Sequence, residues 1–345
     1  MSENNGYNLH QNARLSCAPM MDWTDRHCRY LHRLMSRHTL LYTEMVTAPA
    51  LVRGGALHLL QFNSEEHPVA LQLGGADPAE LAKAARLGQD AGYDEINLNV
   101  GCPSDRVQSG TFGAVLMKTP ALVAECCAAM RAAVDVEVTV KCRIGVDDQV
   151  PQDVLPEFLS QVSAAGISRF AVHARKAWLK GLSPKENRDI PPLDYERVKR
   201  LKQQFPDLHI GINGGVKDLD TALDLLSAGL DSVMVGRAAY QDPWMLSQVD
   251  ARLFGATDQA PQQTRHEVIE AFLPYVDEQR SAGVPLHAMT RHILGLFNSQ
   301  PGARLWRRYI SENAPNKTAG VEVLRQALAF VSVEDVTGTD ATKAG

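Results

Sequence analysis

The sequence predicts an α/β fold: a (β/α)₈ TIM barrel of parallel strands, followed by a small C-terminal all-helical domain. Three observations support this prediction. Eight short β-branched runs recur along the first two thirds of the 345-residue chain. Helix-like segments lie between them, and several begin at Asp or Thr with Pro close behind, which is a helix-start signal. Beyond about residue 255 the strand pattern stops, and only helical periodicity continues.

The eight predicted strands end in polar or glycine-rich turns. In chain order they are RLSCAP (14–19), LLYTEMV (40–46), PVALQLGG (68–75), EINLNVGC (95–102), EVTVKCRIG (137–145), RFAVHARK (169–176), LHIGINGG (208–215) and DSVMVGRAA (231–239). Strands too apolar to alternate, with helices after them, indicate a parallel sheet buried on both faces. An open doubly wound sheet is the alternative, but its GxGxxG phosphate motif does not follow the first strand.

The chain is predicted to divide into a barrel over residues 1–255, a helical domain over 256–335 and a flexible tail over 336–345. The polar segment GATDQAPQQ (255–263) is typical of a linker. The stretches after it show helical periodicity without strands. They are RHEVIEAFLPYVDEQRSAG (265–283), LHAMTRHILGLF (286–297), GARLWRRYISEN (302–313) and TAGVEVLRQALAFV (318–331).

The composition is that of a globular protein. Hydrophobic residues make up 45% of the chain, yet no apolar run approaches the roughly 20 residues that a membrane span needs. The polar N-terminal segment lacks the apolar centre of a signal peptide, so we expect a cytoplasmic protein. Six scattered cysteines without a CxxC pair disfavour a structural zinc site. The net charge of −5 argues weakly against a general nucleic-acid binder.

The predicted C-terminal ends of the strands carry an unusual number of polar side chains and glycines. Barrel enzymes place their working residues at these ends, and a merely structural end would not need so many. The sequence therefore predicts an enzyme. The residues concerned are Pro19, Met20, Glu44, Gln72, Asn97, Asn99, Cys102, Lys141, Arg143, His173, Asn213, Gly214, Gly215, Gly236 and Arg237.

The ends of the seventh and eighth predicted strands favour phosphate binding. INGG (212–215) and VGRAA (235–239) offer small residues and backbone N–H groups beside Arg237. Barrels commonly hold a phosphate between these two loops, and arginine binds phosphate with two parallel hydrogen bonds. The phosphate could belong to a substrate or to a cofactor.

Single residues at the strand ends leave several chemistries open. Lys141 suits a Schiff base, a fixed positive charge beside the N1–C2=O edge of a flavin, or a solvated strand end. His173 suits a base, a hydrogen-bond donor, a ligand or a buried core residue, although no second histidine with metal spacing is evident. Glu44 and Asn97 carry the same ambiguity.

The role of Cys102 is not decided by its position alone. This residue lies between a glycine and a proline, where the fourth apolar run ends. Taken alone, this residue could be a metal ligand, a nucleophile, an acid or a buried small residue. No Cys–His–Asn arrangement is visible in the sequence that would make it a nucleophile.

Taken together, these motifs resemble the tRNA-dihydrouridine synthase family of FMN-binding barrels. The resemblance covers essentially the whole barrel, because the NxGCP element stands in register with KCRxG, HAR and NGG. The matching segments are APMMDWTD (18–25), TEMVTA (43–48), LQLGG (71–75), INLNVGCPSDRV…GAVLM (96–117), VTVKCRIG (138–145), VHAR (172–175), INGG (212–215) and VMVGRAA (233–239). The segments ARKAWLKGLSPKENRDIPPLDYERV and GARLWRRYI further resemble the A-type subfamily.

The resemblance implies a role for each matching residue. It implies that Cys102 is the catalytic acid and that the family reduces the C5–C6 bond of selected tRNA uridines, with hydride from FMN to C6 and NADPH as the electron source. A-type members act on positions 20 and 20a of the D-loop. FMN would be held by Pro19, Met20, Met21, Gln72, Lys141, His173, Asn213, Gly214, Gly215, Gly236 and Arg237.

The chemistry of the residues is compatible with this implied reaction. Hydride arriving at C6 leaves negative charge on the uracil, and a proton must then reach C5. A cysteine thiol is in general mostly protonated at neutral pH and can donate that proton unaided. Asn99 lies two residues beyond Asn97 in the strand alternation, so it should face the same mouth and bind the base edge.

Local clusters of basic residues weaken the argument that the net charge of −5 makes against nucleic-acid binding. Residues 174–202 carry nine Lys/Arg against four acids, and residues 285–318 carry five against one, with Trp306 and Tyr309 interleaved. Basic stretches with aromatic residues suit RNA backbone and exposed bases. We therefore expect tRNA to bind the loop after the sixth strand and the helical domain. The expected contacts are Arg143, Lys185, Arg188, Arg304 and Arg307, in a monomer that uses neither metal nor membrane.

Two other functions remain open at this point. One is an FMN barrel acting on a small molecule, such as a dihydroorotate or dihydropyrimidine dehydrogenase. The other is a catalytically idle RNA-binding chaperone whose barrel only presents basic surfaces.

Overall fold

The structure is a computed structural model that describes residues 13–104, 112–256 and 264–332. Eight parallel strands pair in chain order and close into a barrel in which the last strand pairs with the first. The predicted (β/α)₈ barrel is thereby confirmed. The strands are β1 (Leu15–Cys17), β2 (Leu40–Thr47), β3 (Val69–Gly74), β4 (Glu95–Val100), β5 (Glu137–Arg143), β6 (Arg169–His173), β7 (His209–Asn213) and β8 (Ser232–Val235).

The helices that follow the strands begin where the sequence signals predict. Asp77, Asp194 and Asp218 each cap a helix, because each side chain accepts a hydrogen bond from a backbone N–H three residues further on. The helices of this part of the chain are α1 (Arg26–Arg33), α2 (Ala48–Val52), α3 (Pro78–Ala91), α4 (Pro120–Ala133), α5 (Pro151–Ala164), α6 (Tyr195–Gln204) and α7 (Leu219–Ser227).

Strand β4 alternates polar and apolar residues, contrary to the expectation that the strands are too apolar to do so. In β4 the polar residues Glu95, Asn97 and Asn99 lie on one face, and their side chains bond to polar residues of β3 and β5. The residues between them point to the helices: Ile96 packs against Gly88 of α3 so closely that a Cβ at 88 would lie 2.7 Å from it. The barrel interior therefore holds a polar column on this side.

Packing divides the described chain into two compact units, residues 13–26 with 38–236, and residues 27–37 with 237–332. The predicted domain boundary at residue 255 falls within the second unit, and the predicted tail lies outside the described residues. No helix in the described ranges is both long and apolar enough to cross a membrane. The further helices are α8 (Arg237–Gln241), α9 (Val249–Phe254), α10 (Arg265–Ser281), α11 (Leu286–Thr290), α12 (Ala303–Asn313) and α13 (Glu322–Leu328).

Helix α1 follows β1 in the chain but packs within the second unit. The ring of Tyr30 stacks on that of Tyr275 of α10, with centroids 3.9 Å apart. His27 Nδ1 lies 2.6 Å from the hydroxyl of the same tyrosine. Just after α1, Ser36 donates to the carboxylate of Asp250 at 2.5 Å. A helix that strand–helix alternation assigns to the barrel thus contributes to the core of the second unit.

Two predicted elements are shorter than expected. The eighth strand ends at Val235, and Arg237 begins α8 instead of extending the strand. The segment LHAMTRHILGLF is helical only over Leu286–Thr290 and continues as turns. Close packing accounts for the second difference: a Cβ at Gly295 would lie 2.2 Å from the carbonyl oxygen of Gln241. Tertiary contact overrides the helical pattern there.

Trp306 of α12 belongs to the core of the second unit. It is fully buried, its indole N–H donates to the carbonyl of Ile293 at 3.3 Å, and its ring packs against Phe297 with centroids 4.7 Å apart. The expectation that Trp306 is available to an RNA base is therefore wrong. Helical spacing places it on the face of α12 opposite the arginines, and that face is buried.

We predict that Trp306→Ala lowers the free energy of unfolding by about 3–5 kcal/mol, because it removes a large buried ring and leaves a cavity. Urea unfolding followed by circular dichroism measures the change. The matched control is Leu305→Ala, since Leu305 is the chain neighbour and is 42% exposed; its effect should stay within about 0.5 kcal/mol. Equal losses in the two variants would contradict the core assignment.

Candidate active site at the barrel mouth

Cys102 lies in the turn that follows β4, at the C-terminal end of the barrel strands. It is partly exposed, whereas the other five cysteines are buried. Its backbone N–H donates to Asn99 Oδ1 at 2.9 Å, and its Sγ lies 3.4 Å from the hydroxyl oxygen of Ser104. Its carbonyl accepts from the N–H of Ala114 at 2.8 Å. The turn is thus held from both sides while the thiol remains accessible.

A continuous chain of side-chain hydrogen bonds runs from this turn into the barrel. Asn99 Nδ2 donates to Gln72 Oε1 at 2.7 Å, and Gln72 Nε2 donates to Asn97 Oδ1 at 2.8 Å. Asn97 Nδ2 then donates to Thr139 Oγ1 at 2.7 Å, and the threonine hydroxyl donates to Glu95 Oε1. We call this series, Asn99–Gln72–Asn97–Thr139–Glu95, the amide chain. All five residues are buried.

The amide chain ends on a buried charge cluster. Arg169 contacts the carboxylates of both Glu95 and Glu137, the latter at 2.8 Å, and the hydroxyl of Tyr42 donates to Glu95 at 2.6 Å. Burial alone would lower the pKa of Arg169, but the two carboxylates outweigh burial and raise it. Burial raises the pKa of Glu95, and the guanidinium opposes that rise. The cluster therefore keeps a charged arginine paired inside the barrel.

The mouth around His173 and Lys141 is electropositive. Burial and the neighbouring Arg143 lower the pKa of Lys141 to about 8. Burial also lowers the pKa of His173 well below its usual value, and Arg143, Lys141, Arg175 and Arg188 lower it further. His173 is therefore neutral at physiological pH and acts there as a hydrogen-bonding group. Gathered cations of this kind favour an anionic ligand.

The end of β7 requires its two glycines. Gly214 and Gly215 have φ angles of +108° and +72°, which other residues adopt with strain. A Cβ on Gly214 would lie 2.6 Å from the ring of His173, and one on Gly215 would lie 2.4 Å from Leu193. Asn213 is buried and donates to the carbonyl of Met234 on β8 at 2.7 Å. The predicted INGG motif thus forms a close-packed turn beside His173.

The remaining residues predicted to bind the cofactor lie at the ends of β1 and β8. Met20 anchors a turn in which its N–H donates to Thr24 Oγ1 at 2.9 Å and its carbonyl accepts two N–H groups. Gly236 lies beside this turn, since a Cβ there would be 3.7 Å from the Met20 sulfur. Arg237 starts α8, in the second unit. Pro19 is half-buried and Met21 is exposed. Their predicted roles remain predictions.

Arg143 is buried and links the Cys102 turn to the loop after β6. Its guanidinium donates to the carbonyls of Gly101 at 2.9 Å and of Lys176 and Asn187 at 3.0 Å each. Three backbone acceptors around a buried guanidinium are typical of a structural bridge. The predicted direct contact between Arg143 and tRNA therefore remains a prediction.

The loop after β6 is an ordered basic surface built on Asn187. The buried Asn187 side chain accepts from Trp178 N at 2.7 Å and donates to the carbonyl of Trp178 at 2.9 Å. Trp178 is 38% exposed, and Lys176 Nζ lies 5.1 Å from its ring centroid. Lys185 and Arg188 are exposed on the same loop. The surface combines cations with one accessible aromatic ring.

The second unit carries basic residues of its own on α12. Arg304 and Arg307 are exposed, and Arg307 donates to the side chain of Asn298 at 3.0 Å. Tyr309 is partly exposed and bonds to Gln326 of α13.

Several residues that the structure places at the site were not predicted from the sequence. Thr139 and Glu95 complete the amide chain, Ser104 contacts the Cys102 thiol, and Trp178 is the exposed aromatic of the basic loop. The strand period of two was the available signal for Thr139 and Glu95, because they lie two residues before Lys141 and Asn97 on their strands. No comparable signal marks Trp178, whose exposure depends on the fold of the loop.

Comparisons with known proteins agree with the sequence resemblance. The family model described as "Dihydrouridine synthase (Dus)" matches residues 16–332. The tRNA-dihydrouridine(20/20a) synthase of Vibrio cholerae is 57% identical over 324 residues, covering 94% of this chain and 98% of that protein. The tRNA-dihydrouridine(20/20a) synthase of Escherichia coli K12 is 55% identical over 325 residues, covering 94% of this chain and 93% of that protein. A 2-naphthoyl-CoA reductase structure shares the fold at a TM-score of 0.54, with 13% identity, covering 68% of this chain and 49% of that one.

We predict that Lys141 in the ligand-free protein titrates near pH 8, because burial and the cation of Arg143 disfavour its charged form. The measurement is an NMR titration of protein carrying ¹³C-labelled lysine side chains. One lysine signal should change with a midpoint near pH 8 and should vanish in Lys141→Arg. If all lysine signals titrate together, the Lys141 environment is not the one described.

Proposed function

The chain belongs to the dihydrouridine synthase family, and from that premise we propose that it is a tRNA-dihydrouridine(20/20a) synthase. It reduces the C5–C6 bond of uridines 20 and 20a in the D-loop of tRNA. The enzyme is an oxidoreductase. The single observation that carries the proposal is the position of Cys102, the partly exposed cysteine of the six, beside an electropositive barrel mouth.

The described residues fit FMN as the cofactor. The cations around His173 match the negative charge of a phosphate and the charge that reduction places on a flavin. Gln72, Lys141, His173, Asn213, Gly214 and Gly215 would hold the cofactor at the strand ends. FMN, when bound, would supply the hydride for C6 of the uracil, and NADPH would return a hydride to FMN in a separate binding event.

The protein's own part in the reaction is to hold the uracil and deliver a proton. Cys102 donates the proton of its thiol to C5, and the Ser104 hydroxyl at 3.4 Å helps to orient the thiol. Asn99 holds the turn through the N–H groups of Gly101 and Cys102. A second N–H hydrogen remains on its amide for the base edge. Neutral His173 contributes hydrogen bonding without adding charge.

Two basic surfaces bind the tRNA in this proposal. Lys185 and Arg188 lie on the ordered loop after β6, and the exposed ring of Trp178, with Lys176 Nζ 5.1 Å from its centroid, suits stacking on an unpaired base. Arg304 and Arg307 are exposed on α12 of the second unit and contact phosphates. Such local cations overcome the net charge of −5. The enzyme acts as a cytoplasmic monomer.

We predict that cells lacking this protein lose dihydrouridine at tRNA positions 20 and 20a, and that the wild-type gene restores it while Cys102→Ala does not. The physical reason is that the variant lacks the thiol proton for C5. Purified Cys102→Ala should keep the absorbance of bound flavin and oxidise NADPH, yet lose activity on tRNA by about two orders of magnitude or more. Mapping of dihydrouridine in tRNA and flavin absorbance are the two measurements.

The matched control is Cys126→Ala, which removes a thiol buried in α4 and should still restore dihydrouridine. Unchanged dihydrouridine in the deletion strain would remove the proposed function. Loss of flavin from Cys102→Ala would assign that cysteine a structural role instead.

We further predict that Arg188→Ala, Lys185→Ala, Arg304→Ala and Arg307→Ala each weaken tRNA binding. Each should reduce the slope of log affinity against log salt by about 0.7–0.9, since one phosphate contact is lost. Filter binding at several salt concentrations gives both quantities. Lys83→Ala is the control, because Lys83 is an exposed lysine of α3, away from both basic surfaces in the sequence. An unchanged slope throughout the series would place the tRNA on another surface.

A further inference from the structure

The direction of every hydrogen bond in the amide chain is fixed from its buried end. The Glu95 carboxylate, paired with Arg169, can only accept, so the Thr139 hydroxyl must donate to it. The hydroxyl has a single hydrogen, and Thr139 therefore has only acceptor capacity to offer Asn97. Asn97 must then turn its NH₂ group towards Thr139 and its carbonyl oxygen towards Gln72.

The hydrogen bonds nearer the barrel mouth take the same donor-to-acceptor direction. Gln72 donates to Asn97, so its carbonyl oxygen faces Asn99 and receives the NH₂ group of that residue. The carbonyl oxygen of Asn99 is then left for the Cys102 turn. There it accepts the N–H of Gly101 at 3.1 Å and of Cys102 at 2.9 Å. An amide turned the other way would present hydrogens to these two donors and would repel them.

We propose that Thr139 is a positioning residue for Cys102, because it transmits the acceptor polarity of Glu95 through the amide chain to the turn that holds the thiol. The inference rests on the proposed function in one respect, namely that Cys102 is the proton donor. Thr139 itself lies in the middle of β5, faces the barrel interior and is 2% exposed. The hydrogen bonds of its side chain go to Asn97 and Glu95, so it acts on the Cys102 turn through other residues.

Substitutions of similar size at position 139 separate the effect of the Thr139 hydroxyl from the effect of the side-chain shape. Valine has nearly the same volume but can neither donate nor accept, so Asn97 loses its acceptor and the amides are free to reorient. Serine keeps the hydroxyl and loses one methyl group. If the hydroxyl is what matters, serine must behave as the wild type and valine must not.

The experiment compares Thr139→Val, Thr139→Ala and Thr139→Ser in the full-length holoenzyme. One measurement is the rate of Cys102 alkylation by iodoacetamide without tRNA, located by peptide mass; the other five cysteines are buried and react slowly. The others are kcat and KM for tRNA, flavin content and NADPH oxidation. The control variant is Thr290→Val, a buried threonine of α11 in the second unit.

We expect Thr139→Val and Thr139→Ala to change the Cys102 alkylation rate several-fold and to lower kcat per bound flavin by about tenfold to a hundredfold. Thr139→Ser and Thr290→Val should match the wild type in both rates. The Ala variant provides the test if the Val variant does not fold. Unchanged alkylation and kcat in a folded variant without the hydroxyl, or no recovery with serine, overturns the proposal. A wild-type enzyme inactive on tRNA would instead overturn the proposed function, and the alkylation rates would still decide the role of Thr139.

Discussion

A buried carboxylate inside the barrel is the constraint on which the mouth depends. Barrel interiors are usually filled by layers of branched apolar side chains, but here Glu95 lies among Tyr42, Thr139 and Arg169. A buried charge must be paired and hydrogen-bonded, and removing one partner of such a pair costs about 3–5 kcal/mol. The polar residues stacked above Glu95 therefore form a connected series, since each buried donor or acceptor needs the next one as its partner.

The mouth combines this series with a second feature, the concentration of cations around the ends of β5 and β6. Lys141, Arg143, Arg175 and Arg188 all lie near enough to His173 to lower its pKa. An unliganded protein bears the electrostatic cost of holding like charges together, and an anionic ligand removes it. Membership of the dihydrouridine synthase family supplies a reason for this arrangement, because a flavin phosphate and an RNA backbone are both anionic. It also favours the tRNA-modifying enzyme over the idle chaperone and the small-molecule dehydrogenase.

Arg143 shows how the two features are joined within the barrel unit. Its guanidinium is buried between the carbonyl of Gly101, next to Cys102, and two carbonyls of the basic loop after β6. Asn187 of that loop fixes both backbone groups of Trp178. One buried cation thus connects the turn that carries the thiol with the surface that carries the exposed aromatic ring.

The sequence by itself determined the eight strands, their helices and the residues at the strand ends, because these depend on local periodicity, capping and short motifs. It also determined the family, since NxGCP, KCRxG and NGG are contiguous in the chain. Tertiary structure alone decided which aromatic ring is accessible: Trp306 and Trp178 lie in similarly basic stretches, but α12 buries the first and the loop after β6 exposes the second. It also decided that α1 packs with the C-terminal helices and that Glu95, Thr139 and Asn99 act in series. These facts follow from contacts between residues distant in sequence, which no local pattern encodes.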